Sequence, residues 1–332
     1  MRLLVTGAAG FIGSCFVRRA LAGQLPGTPG GADLAVTVLD KLTYAGNKAN
    51  LGPALDDPRL TFVEGDILDA DLVDSLVGQA DAIVHFAAES HVDRSITGAT
   101  DFVVTNVVGT QTLLDAALRH RLGRFLHVST DEVYGSVDVG SWPETHPLEP
   151  NSPYSASKAG SDLIALAYAR THGLDVTVTR CSNNYGPYQF PEKIIPLFVT
   201  RLIDGGRVPL YGDGLNVRDW LHVDDHVRGI SLVLHGGRAG EVYNIGGGTE
   251  LSNKELTTML LQACGAGWDR VDHVVDRKGH DRRYSVDITK ISTELGYRPQ
   301  VPFTSGLADA VAWYRDNRSW WEPLQARAAL NS

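Results

Sequence analysis

Cysteine is scarce. The chain holds three, Cys15, Cys181 and Cys264, far apart and odd in number. They form no CxxC pair and no even framework, so a disulfide scaffold is not expected and a reducing, cytoplasmic setting fits. Positive charge is short as well: 30 Lys and Arg face 39 Asp and Glu, a net charge of −9. That balance argues against a nucleic-acid partner, though not against a local basic pocket for an anionic small molecule. No apolar run is long enough to cross a bilayer, so no membrane partner is expected. The start, Met1-Arg2-Leu3-Leu4-Val5, reads directly into a strand, and no leader is expected. Internal repeats are lacking. The low-complexity piece Pro26-Gly27-Thr28-Pro29-Gly30-Gly31 reads as a surface loop.

What is present is an alternation of short apolar strands and longer helical segments over 332 residues, 43% of them hydrophobic. That is enough for a large core. Leu3-Leu4-Val5 is followed by Thr6-Gly7-Ala8-Ala9-Gly10-Phe11-Ile12-Gly13 and a helix over 14–22. A strand, a glycine turn and a helix N-terminus form a phosphate-binding unit, because glycine lets the backbone turn tightly and approach a pyrophosphate. The spacing is GxxGxxG rather than GxGxxG. The second strand, Ala35–Leu39, ends on Asp40, where an acid would bind the adenosine ribose hydroxyls and favour NAD. Asp40 lies farther past Gly13 than the usual ~20 residues, and the Gly/Pro loop accounts for the excess. A helix cap is the plain alternative for Asp40.

Further strands are expected at Leu60–Val63, Ala82–Phe86, Phe125–Val128 and Asp175–Arg180, with one helix over 99–119 and another from Pro153. This is the doubly wound α/β pattern, a Rossmann-type parallel sheet. After residue 182 the alternation breaks down. A first domain over 1–182 and a smaller C-terminal substrate-binding domain over 183–332 are expected, with pieces near 217–230 and 241–246 returning to the main sheet.

Ser129-Thr130-Asp131-Glu132-Val133-Tyr134-Gly135 follows the fifth strand. Ligand crevices in such sheets lie beyond the carboxyl ends of the strands, so a hydroxyl and two carboxylates there are candidates for chemistry. They are equally compatible with a solvated loop or a helix cap. Tyr154 and Lys158 are four apart and share one helix face. A cationic amine beside a phenol lowers the phenol pKa and makes it a usable base. Arg218, Arg277, Lys278, His280, Arg282 and Arg283 form a group of cations that would bind a diphosphate if placed over the crevice. His222-Val223-Asp224-Asp225-His226 has the look of a metal site, but no third ligand suggests itself and the acids suit a helix N-terminus, so no metal is expected. The aromatic tail, Trp313-Tyr314 and Trp320-Trp321, reads as core or interface packing.

The glycine turn, Asp40, Tyr154/Lys158 and the small C-terminal domain together resemble the extended short-chain dehydrogenase/reductase family. Four longer stretches narrow the resemblance to its nucleotide-sugar dehydratases: Phe86–Ser95, Ser129–Gly135, Ser182–Tyr188 and Asp276–Tyr284. Ala8 and Lys278 depart from the family pattern, at positions away from the implied chemistry. The resemblance implies NAD as cofactor and dTDP-glucose as substrate. Tyr154, held by Lys158, would take the C4 hydroxyl proton as hydride passes to NAD⁺. Glu132 would then remove the C5 proton, Asp131 would protonate the departing C6 hydroxyl, and hydride would return to C6. Thr130 would bond the C4 oxygen.

The implied cofactor contacts are Gly7, Gly10, Phe11, Ile12, Gly13, Asp40, Lys41, Leu42, Thr43, Asp66, Ile67, Phe86, Ala87, Ala88, Ser90, Thr105, Tyr154, Lys158 and Asn184. The implied substrate contacts are Ser90, Thr130, Asn183, Lys193, Ile194, Pro209, Tyr211, Arg218, Asn244, Asp276, Arg277 and His280. A homodimer through the helices near 99–119 and 154–171 is implied as well. A nucleotide-sugar epimerase or decarboxylase shares the fold and the Tyr/Lys pair but needs no acid pair at the fifth strand. A non-catalytic NAD-binding regulator would leave the five polar residues unexplained.

Overall fold

The computed structural model describes residues 1–29, 31–276 and 279–330, with side chains up to residue 325. Among them are twelve strands: β1 (Arg2–Thr6), β2 (Ala35–Asp40), β3 (Leu60–Glu64), β4 (Ala82–His85), β5 (Arg124–Thr130), β6 (Val176–Cys181), β7 (Asn183–Tyr185), β8 (Val208–Tyr211), β9 (Val217–His222), β10 (Val242–Ile245), β11 (Glu250–Ser252) and β12 (Val271–Val274). Seven build one parallel sheet in the order β3-β2-β1-β4-β5-β6-β10. The chain leaves β1 toward β3, then returns to β4 on β1's other side. That reversal opens a crevice at the carboxyl ends of β1 and β4.

Period-two alternation explains why Leu3, Leu4 and Val5 are all buried. Leu3 and Val5 enter a core with Phe16, Val36, Val38, Val84 and Ile230 on one face. Leu4 enters a second core with Leu39, Ile83, Leu113, Phe125 and Leu166 on the other. Helices cover both faces, so the strands read as continuous apolar runs. A third core gathers Tyr185, Phe198, Trp220, Leu260, Phe303, Tyr314 and Trp321. The aromatic tail contributes there: Tyr314 and Trp321 are fully buried.

One expectation is corrected. Of the segments expected to rejoin the main sheet, β10 does, beside β6. β9 does not; it is the central strand of a small sheet β11-β9-β7. What returns is the helix Val223–Gly236 behind it, whose Val227, Ile230 and Val233 enter the first core. A six-residue strand buried at all but its first residue carries no signal for which sheet it joins. The helix expected over 99–119 is present as one continuous helix, Thr100–Val103 and Gly109–Arg119 joined through a π-helical stretch Val104–Val108, and a separate short helix, Val92–Thr97, precedes it. A Cβ on Gly109 would lie 2.5 Å from Ile67 Cδ1, so this segment packs unusually close to the sheet side.

The helix Val223–Gly236 explains the histidine pair. His222 caps it, its Nδ1 accepting from Asp224 N at 3.2 Å. Asp225 accepts from the backbone N–H of Gln300 and Val301, and His226 Nδ1 lies 2.9 Å from Asn184 Oδ1. Among the described residues no helix is long and apolar enough to cross a membrane.

Candidate active site

The glycine turn is shaped for an anion. Gly7 adopts φ +71°, and a Cβ there would lie 2.5 Å from Ala87 N. Gly10 precedes the helix Phe11–Leu21 in extended conformation, with no side-chain cap and no acid in the first turn. The first-turn N–H groups are therefore left for an anionic ligand, and the helix dipole favours one. At the end of β2 the Asp40 carboxylate accepts from Ala9 N at 2.8 Å and from Leu42 N at 2.9 Å. Burial pushes this carboxyl up, and the two backbone donors oppose the rise. A bare helix N-terminus, a turn with no room for a Cβ and a fixed acid at the second strand fit a dinucleotide.

β5 delivers the polar cluster. Thr130 caps a single 3₁₀ turn, Asp131–Tyr134, its Oγ1 accepting from Glu132 N at 3.2 Å. Gly135 ends the turn at φ +82°, where a Cβ would collide with the Glu149 carbonyl. Asp131 is 2% exposed. Its Oδ1 accepts from the Thr130 hydroxyl at 3.3 Å, and its Oδ2 has no protein partner. Desolvation first, then the charges of Glu132 and Asp219, holds its carboxyl well above the usual range. The shift favours its protonated form beside a second carboxyl, the pairing that separates a proton donor from a base.

Tyr154 and Lys158 lie on the helix Pro153–His172, capped by Ser152 with Pro153 in its first turn. The expected lowering of the phenol by Lys158 is corrected here. The Lys158 ammonium donates to the Val128 carbonyl at 2.8 Å, and burial lowers its own pKa. Burial and the charges of Glu132, Cys181 and Asp131 push the Tyr154 phenol well above its usual value, opposed by a hydrogen bond with Thr130. Sharing a helix face set the two residues near each other; the surrounding carboxyls and the depth of the site set the phenol.

These groups meet in one cleft of about 1670 Å³. Every expected cofactor contact lines it except Leu42, which contributes its backbone N–H to Asp40. Of the expected substrate contacts, Ser90, Thr130, Asn183 and Lys193 line the cleft. Lys193 Nζ donates to the Ser90 carbonyl at 3.2 Å. Pro209 and Tyr211 lie off the cleft on β8, which pairs with β12 and so brings Asp276 and His280 near Tyr211. His280 Nδ1 is 2.6 Å from Asp276 Oδ1, and the Tyr211 and His280 rings meet edge-on at 6.5 Å. Ile194 packs against the third core. Arg218 is 5% exposed over the Tyr284 ring, close enough to Asp131 to oppose its rise. Arg277 and Lys278 lie outside the described residues.

Asn244 does not reach the cleft. It is fully buried; Oδ1 accepts from the Tyr134 hydroxyl, and Nδ2 donates to the carbonyls of Trp142 and Asp287. Of the described cations, two are taken up by acids and do not serve the crevice. Arg282 pairs with Asp213 and Arg283 with Glu250.

Among the residues at the site that escaped sequence reasoning, two stand out by their bonds. Asn106 exchanges hydrogen bonds with the backbone of Glu89 and donates to Ser157 Oγ at 2.8 Å, tying the cleft loop to the phenol helix. An asparagine inside a helical stretch was its only signal. Trp320 lines the cleft from the far end of the chain, its Nε1 donating to Asn50 Oδ1 at 2.9 Å. Nothing local marks it.

The model of the GDP-mannose 4,6 dehydratase family matches residues 4–310. A dTDP-glucose 4,6-dehydratase of Streptomyces antibioticus is 68% identical over 329 residues, 99% of this chain and 97% of that one. DesIV, a dTDP-glucose 4,6-dehydratase from Streptomyces venezuelae solved with NAD and TYD bound, superposes with a TM-score of 0.96 at 68% identity, covering 98% of this chain and 100% of that one. A UDP-glucose 4-epimerase of Thermotoga maritima, solved with UDP-glucose, superposes at 0.87 with 32% identity, covering 96% and 100%.

Proposed function

The chain belongs to the GDP-mannose 4,6 dehydratase family, and from that premise we propose that it converts dTDP-D-glucose to dTDP-4-keto-6-deoxy-D-glucose and water. It is an NAD-dependent nucleotide-sugar dehydratase, a hydro-lyase. The observation that carries this reading over epimerisation is the buried Asp131 beside Glu132, its carboxyl held above the usual range, in the same cleft as Tyr154. An epimerase needs no such pair.

NAD, when bound, supplies the two-electron acceptor for C4 and the donor for C6. Gly7, Gly10 and the first turn of the helix Phe11–Leu21 would hold its pyrophosphate, and Asp40 its adenosine ribose. Tyr154 acts as the phenolate, its ionisation favoured by Lys158 and, once bound, by the positive nicotinamide ring; it takes the proton from the C4 hydroxyl, and Thr130 bonds that oxygen. The C4 ketone acidifies the C5 proton, which Glu132 removes. Asp131 passes its proton to the C6 hydroxyl, which leaves as water. Adjacent carboxyls that cannot both ionise in a dry site suit the two roles, and their titrations are coupled. Around Tyr211, Asp276 and His280 the smaller half would take the nucleotide diphosphate, which supports dividing the chain near residue 183.

The test is incubation with dTDP-glucose, following the 4-keto product, with UDP- and GDP-hexoses as controls. No turnover by folded, NAD-loaded protein sinks the reading. We further infer a homodimer. The helices over 92–119 and 153–172 expose Ile96, Val103, Val108 and Leu163 on neighbouring elements, an apolar surface that a second copy would cover. Leu163→Glu is expected to halve the mass in sedimentation; an unchanged mass removes this interface. A cytoplasmic location is proposed on the free cysteines alone.

A further inference from the structure

A chain of buried polar groups outside the cleft joins its two working parts. Tyr134 closes the turn that begins with Asp131 and Glu132. Its hydroxyl donates to Asn244 Oδ1 at 2.9 Å and accepts from Arg180 Nη1 at 2.8 Å. Arg180, on β6, lies 4.8 Å over the Tyr134 ring and donates through Nε to Asp162 Oδ2 at 2.8 Å. Asp162 belongs to the helix that carries Tyr154 and Lys158, one turn beyond Lys158 on the same face. Tyr134 and Asp162 are fully buried and Arg180 is 3% exposed. None of the three lines the cleft.

An ion pair this deep is a poor stabiliser, because desolvation cancels most of its attraction. What it provides is geometry. Arginine presents fixed donor directions, and here Nε and Nη1 reach the phenol helix and the acid–base turn at once. We propose that Tyr134, Arg180 and Asp162 are positioning residues that hold Asp131 and Glu132 in register with Tyr154 and Lys158, so that water is eliminated from the hexose as soon as C4 is oxidised. This rests on the dehydratase reading above. Elimination is the step that needs the turn placed correctly, since two proton transfers occur there. Oxidation draws on the helix and on Thr130, which β5 holds ahead of the turn, so the two steps respond differently when the link is cut.

The experiment compares Tyr134→Phe and Arg180→Lys with the parent, all NAD-loaded and mixed with dTDP-glucose. Formation of the reduced nicotinamide absorbance reports oxidation at C4. Solvent exchange at C5 and release of the 4-keto product report elimination. In both variants, oxidation is expected to stay within two-fold of the parent while elimination falls about ten-fold, the worth of roughly one positioned hydrogen bond. The reduced absorbance then persists longer than in the parent. Equal losses in both steps, or none in either, overturn the proposal. Loss of folding in both variants assigns the network to stability alone and also overturns it. Arg180→Lys keeps the charge on Asp162 and carries the test if Tyr134→Phe does not fold. A parent that never reduces its cofactor with dTDP-glucose refutes the dehydratase reading instead, before either variant is compared.

Discussion

The Thr130 hydroxyl donates to Asp131 Oδ1 at 3.3 Å, while Asp131 Oδ2, buried, meets no protein partner. One oxygen is held and the other is left for a ligand. The same threonine caps the turn through Glu132 N and bonds Tyr154. One side chain thus touches the acid, the base's backbone and the phenol.

Asp131→Asn is expected to stop elimination, by roughly 10²-fold or more, and to stabilise the fold at neutral pH. The sign follows from linkage. The folded carboxyl titrates well above its unfolded value, so folding takes up a proton between the two pKa values and stability falls as pH rises across that window. Asparagine removes the penalty. Thermal unfolding from pH 4 upward should show the gap between variant and parent widening with pH. A constant gap means that Asp131 is ionised in the fold.

Thr130→Val removes the cap and the bond to the phenol. Loss of a cap costs about 1 kcal/mol. The Thr130 bond opposes the rise of the Tyr154 phenol, so its loss pushes the phenol higher still. The oxidation step should slow at neutral pH, with its pH profile moved to the alkaline side. Single-turnover reduction of the bound nicotinamide across pH measures both. An unmoved profile argues against Tyr154 as the base.

Gly7→Ala places a Cβ 2.5 Å from Ala87 N at a φ of +71°. The obstructing atoms are all backbone, of Phe86 and Ala87, so no rotamer relieves the contact. We expect more than ~1 kcal/mol of lost stability and protein purified without cofactor. NAD content after denaturation reads this out; a full complement would show that the turn does not hold the dinucleotide.

Three buried histidines set the acid limit. Burial lowers His127 to about 4 and His226 to about 3, and His85 lies well below its ordinary value. Unfolded, each protonates near pH 6.5. Between that pH and the folded values the unfolded chain binds more protons, so stability is lost as pH falls below 6.5. Unfolding near pH 5 should take up up to three protons, measurable by calorimetry in buffers of different ionisation enthalpy. His127→Gln should lower that uptake by about one proton, and an unchanged uptake would contradict the assignment.

Much of the site was legible because its parts are local patterns. Gly7–Gly13 announces a tight turn into a helix within seven residues, and Asp40 ends a strand. Asp131 and Glu132 follow an apolar run directly, and Tyr154 and Lys158 share a helix face by spacing. Each needs only its neighbours in sequence to be recognised, and the parallel sheet brings all of them to one cleft. The third core and the second small sheet were not legible, since short buried strands do not name their partners.

Sequence alone thus determined the alternating α/β order, the dinucleotide turn and the identity of the polar groups at the strand ends, because period and spacing encode them. Only the tertiary structure decided their states and their supports. It sealed Asn244 away from the cleft and tied up Arg282 and Arg283 with Asp213 and Glu250. It set Trp320 against Asn50 and ran Arg180 from Asp162 to Tyr134. It also pushed the Tyr154 phenol above its usual range despite Lys158 one turn away. The reason is common to all of these: desolvation and hydrogen-bond partners depend on groups far apart in the chain, which local pattern cannot see.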